Sequence, residues 1–590
     1  MRWAIRNADP AKVERLAREA QLPSTIARLL VARGIESPEE AQRFLLPALS
    51  RLHSPYRMKG LREAEQRLQG AIERGETVLI YGDYDVDGTT AVVILKTVIE
   101  LCGGKAEYHV PHRIREGYGM RDEVIEQAAE RGIRLIISVD TGIRAFAAAA
   151  TAERCGVDLI VTDHHLPQAE GVPKALAVVN PNQPDCDYPC KALCGAGVAF
   201  KIAQALLEAT GRERLIPSFL KMVAIATIAD AVPLVDENRI FAKLGLDGLR
   251  KPVNAGLRAL LSNCELDGSR PLSAGDIAFR VAPRLNAAGR MDIADRVIRL
   301  FTERDPAKAA EMALELNQLN GDRQQREQGI IEEIHRKVAE SAELRDAYCM
   351  VIDGDQWHRG LIGICATRVV ERYHRPALVF SCENGEAHGS GRSIPAFHLL
   401  EALESCPELF TRFGGHAHAV GCSLPVERLP ELRARLDAFA RQRLTLADFV
   451  PVLDYDDEVP LASIDGKLWE ALQKLEPYGA GNPNPVFVSR QTRLVQPPKI
   501  LKEKHLKLRV IPESNDGRWQ KAHEALGWRM AERSAQEALA LGDFLDIAFT
   551  LDYNDHPDFG GVQLTLLDFA RPDKDAASAV ASASPGTAAL

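Results

Sequence analysis

The segment Tyr81-Gly82-Asp83-Tyr84-Asp85-Val86-Asp87-Gly88-Thr89-Thr90 constrains this chain more than any other. It follows the buried-strand pattern Val78-Leu79-Ile80-Tyr81 and opens a helical pattern that closes at Gly103-Gly104. Asp83, Asp85 and Asp87 are spaced by two, so in extended backbone they project to one side. Two carboxylates ~4 Å apart repel by about 4 kcal/mol at an effective dielectric of about 20. Three at one strand end are costly unless a cation or a proton joins them.

Two further strand patterns end the same way. One stops at Ser138-Val139-Asp140-Thr141-Gly142, the other at Thr162-Asp163-His164-His165. Helical stretches alternate with these strands, which implies a parallel sheet with helices on both faces and ligands at the strands' carboxyl ends. Asp230, after the apolar helix pattern Met222 to Ala229, is a fourth candidate. Singly, Asp83 or Asp140 could serve as a helix cap, and Asp163 could merely support its neighbours. The coincidence at three strand ends favours metal. Carboxylates with one or two imidazoles suit Mn²⁺ or Mg²⁺, and several acids around a shared oxygen make a two-ion site for displacement at phosphorus.

The remaining chain sorts into regions with expected boundaries. Residues 1–75 read as a helical extension, 76–300 as the α/β domain and 301–345 as a connecting helix opened by Asp305-Pro306. Residues 346–450 read as a second mixed α/β domain, 451–569 as a small β-barrel and 570–590 as an Ala/Ser-rich disordered tail. With 73 Lys and Arg against 82 Asp and Glu, the net charge of −9 excludes coating of nucleic acid by overall positive charge. Local basic strips or bound cations must do that work. The first residues lack the apolar core of a secretory signal, no stretch is long enough to span a membrane, and eleven cysteines read as reduced thiols, so a cytoplasmic location is expected. Cys186, Cys190 and Cys194 cluster but contain no CxxC pair, which argues against zinc.

The Asp83–Gly88 segment, Val139-Asp140-Thr141-Gly142, Asp163-His164-His165 and Ala229-Asp230-Ala231-Val232-Pro233-Leu234 together resemble the four motifs of the DHH phosphoesterase superfamily. Within it they are similar to the bacterial exonucleases that degrade single-stranded DNA in the 5′→3′ direction. Pro111-His112-Arg113, Glu116-Gly117-Tyr118-Gly119, the run Ala282 to Arg290, Trp357-His358-Arg359-Gly360, Gly389 to Ser393 and Phe413-Gly414-Gly415-His416 extend the resemblance over nearly the whole chain. It implies a parallel-sheet DHH domain, a DHH-associated domain and an oligonucleotide-binding (OB) barrel. It also implies Asp85, Asp87, Asp140, His164 and Asp230 as ligands of two Mn²⁺ or Mg²⁺ ions, with Asp140 bridging and Asp83 a further ligand. His165, supported by Asp163, would sit beside the scissile phosphate.

An exonuclease must recognise an end, and a 5′-phosphate is best held by guanidinium forks and hydroxyls. Arg113, Arg284, Ser390 and Arg392 are the candidates, though Arg284 could instead join the two lobes by an ion pair. His416, after its two glycines, resembles the phosphate-binding motif of the associated domain. Tyr118 could stack on a base or simply pack on the surface. In the barrel, Lys499, Lys502, Lys504, His505, Lys507 and Arg509 alternate with Leu506, Leu508 and Val510, giving one cationic and one apolar face. The resemblance further implies a monomer working with single-strand-binding protein and a helicase in recombination and repair. Two rival functions share the motifs: a phosphodiesterase for short oligonucleotides and a non-catalytic single-strand-binding replication factor.

Overall fold

The structure is a computed structural model and describes residues 1–590 except 114, 118, 267, 292–293, 513–520, 555–559 and 573–590. Tyr118 and most of the expected tail therefore lie outside the described residues. The chain forms two compact units: one of residues 47–450 with 479–481, the other of 1–46, 451–478 and 482–590.

The larger unit begins with a parallel sheet of β1 (Thr77–Tyr81), β2 (Lys105–His109), β3 (Leu135–Val139), β4 (Asp158–Thr162) and β5 (Ala177–Val179), in the order β2-β1-β3-β4-β5. The central strands are buried almost throughout because helices cover both faces, which is why they read as unbroken apolar runs. Helix α1 (Val86–Leu101) begins inside the aspartate segment itself. The reason is local: Asp85 is its N-cap and accepts a hydrogen bond from the Gly88 amide at 3.0 Å. Helices α2 (Gly195–Ala209) and α3 (Ile216–Ala229) are buried with α1 in the same apolar core. Helix α4 (Ala282–Met291) follows.

The connecting helix is α5 (Pro306–Glu340), 35 residues opened by Pro306 and an Asp305 side chain that accepts from the Ala307 amide. At about 1.5 Å per residue it runs for about 50 Å. Ala309, Ala313 and Leu316 on its first half join the core of the first lobe, while Ile330, Ile334 and Val338 on its second half join the core of the next. That second lobe carries a mixed sheet of β6 (Met350–Asp355), β7 (Ala377–Glu383), β8 (Glu386–Arg392), β9 (Arg412–Gly415) and β10 (Ala419–Pro425), in the order β9-β10-β8-β7-β6. Within this sheet β6 and β7 run parallel and the other neighbours antiparallel.

The smaller unit carries a seven-stranded sheet, five strands of which close into a barrel. Strand Phe487–Leu494 pairs with both Phe544–Asn554 and His505–Ile511, which closes a ring of five strands, while the short strands Asp457–Glu458 and Lys499–Leu501 pair on one side only. Leu506, Leu508 and Val510 point inward as their alternation requires. The N-terminal stretch is not one helical extension. Arg2–Ile5 is a strand paired in parallel with Val452–Tyr455, and the helices up to residue 45 share their core with the barrel. The helix Leu61–Glu73 instead belongs to the core of the first lobe, so the chain divides after residue 46 rather than 75. All eleven cysteines are free. Among the described residues no helix is long and apolar enough to cross a membrane.

Candidate active site

The carboxyl ends of β1, β3 and β4 deliver their side chains to one spot. Ligand-type atoms of Asp83, Asp85 and Asp140 lie within 4.8 Å of one another, and so do those of Asp87, His164 and Asp230, and of Asp140, His164 and His165. Asp140 and His164 thus each belong to two of these groups. The His164 Nε2 atom is 3.2 Å from Asp140 and 3.8 Å from each of Asp87 and Asp230.

Each carboxylate has its own support. Asp87 accepts from the amides of Gly195 and Ala196, at 2.6 and 2.8 Å, at the start of α2. The positive end of that helix therefore faces the acid. Gly195 is required there, since a Cβ at this position would lie 2.5 Å from the Cβ of Asp140. Asp140 itself adopts a left-handed φ of 59°, an unfavourable conformation for a residue with a side chain. The loop of Asp83 and Asp85 is buttressed by α4: Asn286 accepts from the Val86 amide, and Gly289 leaves room for the Tyr84 carbonyl. Asn182 and Asn180 donate to the carbonyls of His164 and His165, holding the loop after β4.

The electrostatics call for a cation. Burial, then the charge of Asp85, pushes Asp83 up to about 8. Burial, then Asp87 and Asp85, does the same to Asp230, to about 8. Asp140 is raised well above the ordinary carboxyl range by burial and by Asp87, and Asp87 is raised by burial. One oxygen each of Asp83 and Asp140 is buried without a hydrogen bond. A buried acceptor left unpaired costs about 1–3 kcal/mol, more if charged. Acids and imidazoles so arranged fit divalent ions with oxygen preference, which relieve the repulsion and complete those oxygens.

Asp163 differs from its neighbours. It accepts from the amides of Ile143, His164 and His165 and from His165 Nδ1, at 2.7 to 3.1 Å. Burial opposes its charge, but these donors win and lower its pKa. Four donors thus surround the carboxylate, one of them the His165 ring. Burial also opposes the charge of His165, yet Asp163 outweighs it and raises that imidazole.

A second cavity, of about 650 Å³, lies between the lobes of the larger unit. Arg113, Ser390 and Arg392 line it as the sequence suggested. Arg290, Arg359 and Arg412 join them, and among the described residues the lining contains no acidic side chain. Arg113 packs its guanidinium over the Tyr84 ring, 4.8 Å from the centroid, and Arg392 donates to Ser390 Oγ at 3.3 Å. Burial, then the charge of Arg113, lowers Arg290 to about 10. Arg284 does not line this cavity: it points the other way, donating to Asn317 of α5 and to the Arg280 carbonyl. The Gly414-Gly415-His416 run touches two cavities, Gly414 lining the arginine-rich one and His416 a separate one beside His164 and His165.

Comparison with known proteins agrees with this architecture. Models described as the DHH family N-terminal domain, the DHHA1 domain and the RecJ OB domain match residues 77–227, 346–442 and 455–568. The single-stranded-DNA-specific exonuclease RecJ of Bacillus subtilis (strain 168) is 37% identical over 581 residues, covering 97% of this chain and 71% of that protein. The chain belongs to the RecJ family. Among solved structures, RecJ from Thermus thermophilus in complex with Mn²⁺ superposes with a TM-score of 0.82 at 30% identity, covering 97% of this chain and 80% of that one. The Mg²⁺ complex of RecJ from the same organism gives 0.75 at 28% identity, over 97% and 79%.

Arg290, Arg359 and Arg412 carried no assigned role in the sequence reading. The first two lie inside motifs recognised there, so the signal was present. Arg412 sits beside the Phe413 motif, and nothing in its spacing marks it.

Proposed function

We propose that this chain is a two-metal exonuclease that removes 5′-mononucleotides, one after another, from the 5′ end of single-stranded DNA. One observation carries the reading: a buried cluster of carboxylates with unpaired oxygens shares a folded unit with a cavity lined by five arginines and, among the described residues, no acid. The first arrangement suits divalent cations, the second a terminal phosphate.

Asp85, Asp87, Asp140, His164 and Asp230 would hold two Mn²⁺ or Mg²⁺ ions, with Asp140 shared and Asp83 a further ligand. Bound there, the ions supply Lewis acidity to the phosphodiester and a water of lowered pKa. The protein's own groups do the rest. Arg113, Arg290, Ser390 and Arg392 grip the 5′-phosphate, which fixes how far the scissile bond lies from the end. His165, oriented by Asp163, stands at the scissile phosphate, and His416 approaches it from the second lobe. Arg284 is assigned to holding α4 against α5, not to the substrate. Tyr118 keeps its proposed stacking role on the strength of the motif alone.

The barrel strand His505–Ile511, with Lys507 and Arg509, and Lys504 in the turn before it, would track the sugar-phosphate backbone without regard to sequence. The proposal extends to work in recombination and repair as a cytoplasmic monomer, alongside single-strand-binding protein and a helicase, a reading that family membership supports. The deciding experiment is release of labelled nucleotide from single strands labelled at either end, with Mn²⁺ or after exhaustive EDTA dialysis. Mononucleotides released first from the 5′ end, and only with metal, are expected. Equal digestion without metal, or release from the 3′ end, would refute the reading.

A further inference from the structure

Beside the acidic cluster lies a cavity of about 750 Å³ that shares no lining residue with the arginine-rich one. Its wall includes Asp163, His164 and His165, so it is continuous with the site of cleavage. Elsewhere the lining is mostly apolar, with Met120, Ile143, Phe146 and Leu166. Phe146 is 36% exposed and Leu166 is 62% exposed. The loop presenting Leu166 is held in place: Arg144 donates to the Leu166 carbonyl from two guanidinium nitrogens, at 3.1 and 3.0 Å.

Core packing does not account for Phe146 and Leu166, because both face solvent. A cavity that sets this apolar wall beside Arg144 and His416, next to a centre that cuts a polyanion, fits a nucleotide of that polymer with its base on the apolar side. The arginines take the anionic end on one side of the cluster, so the strand leaves the cluster by another. Taking the 5′-exonuclease reading as its basis, we propose that this cavity is a subsite for the second nucleotide. In it, the base immediately 3′ of the scissile bond packs against Phe146 and Leu166. The subsite would set the register of cleavage from behind while the arginines set it from in front. Stacking of a base on an aromatic ring is sequence-tolerant, as such a subsite must be.

The test uses the full chain with Mn²⁺ and 5′-phosphorylated single strands carrying one abasic position. What is read is release of the first, labelled nucleotide. For the wild type, removing the second base should raise KM about tenfold, and removing the fifth less than about twofold, given the usual strength of base stacking. The combined Phe146→Ala and Leu166→Ala variant should raise KM about tenfold on intact DNA. It should then lose less than about twofold more when the second base is absent. A wild type indifferent to the second base overturns the proposal, as does multiplication of the two losses. The wild-type scan alone decides the matter if the variant does not fold. Failure of the underlying reading would look different: no metal-dependent release of mononucleotide from intact DNA at all.

Discussion

The acidic cluster and the arginine-rich cavity occupy one folded unit, yet they are built on opposite principles. In the cluster, Asp83, Asp87, Asp140 and Asp230 are forced together by the ends of neighbouring strands and helices, and burial pushes their protons on. In the cavity, Arg113, Arg290, Arg359, Arg392 and Arg412 converge from a helix, loops and strands of both lobes. Guanidinium groups stay charged when crowded, whereas carboxyl groups respond by taking up protons. The cluster is thus sensitive to pH and to ions, and the cavity is a standing positive field. On the proposed function the two together would orient a strand: the end would be fixed by charge that does not titrate, and cleavage would be switched by ions that compete with protons.

The sharpest way to break this comparison is to remove the shared acid. Asp140→Ala should lower kcat by about a thousandfold or more, since Asp140 belongs to two of the ligand groups. Binding of single-stranded DNA, measured by fluorescence anisotropy, should change little. Retained cleavage would show that the cluster is not the reacting centre. The cavity calls for a different readout. Arg392→Ala should raise KM for 5′-phosphorylated strands by about tenfold to a hundredfold, the worth of a charge-assisted hydrogen bond. For 5′-hydroxyl strands wild type and variant should converge. If both substrates suffer alike, the cavity does not read the terminal phosphate.

How much of this was legible in the sequence depends on which physical rule governs each residue. The cluster was legible because its acids follow short apolar runs, so strand ends could be counted without any tertiary information. The arginines were half legible. Arg284 and Arg290 share one helix, and six residues at about 100° each put them about 120° apart around it, so a helix face centred on one does not present the other. Phase alone does not say which face looks inward; the packing of Gly289 under Tyr84 decides for Arg290. The docking of the N-terminal strand, and of the helices after it, onto the barrel was not legible. It rests on contacts such as Trp3 Nε1 to Asp568, 2.6 Å apart in space and 565 residues apart in sequence, and no local pattern encodes such pairings.

Gly289 also offers a prediction intermediate between the two sites, because α4 carries both the buttress of the acidic loop and Arg290. A Cβ added at Gly289 would lie 2.2 Å from the Tyr84 carbonyl oxygen. Gly289→Ala should therefore displace the loop between Asp83 and Asp85 and weaken apparent Mn²⁺ affinity by about tenfold, the scale of losses at supporting residues. Titration of activity against Mn²⁺ checks it. Unchanged affinity with a raised KM for 5′-phosphorylated DNA would instead place the effect on Arg290.

The smallest expected effect separates the two sites by pH alone. In the metal-free protein Asp83 and Asp230 hold protons up to about pH 8, while unfolded aspartate loses its proton near its ordinary value of 3.8. Between those limits unfolding releases protons, so the folded state loses stability as pH rises through the folded values. The metal-free midpoint of thermal unfolding should fall by a few degrees between about pH 6 and pH 9. Mn²⁺ binds the deprotonated acids, so its stabilising increment should grow over the same interval. Replacing Asp83 by Asn removes one of these protons and should flatten the metal-free slope. Arg392→Ala should leave that slope as it was, because a guanidinium does not titrate in this range and the cavity contributes no proton to the balance. A slope that survives Asp83→Asn but changes with Arg392→Ala would reverse the assignment of roles to the two sites.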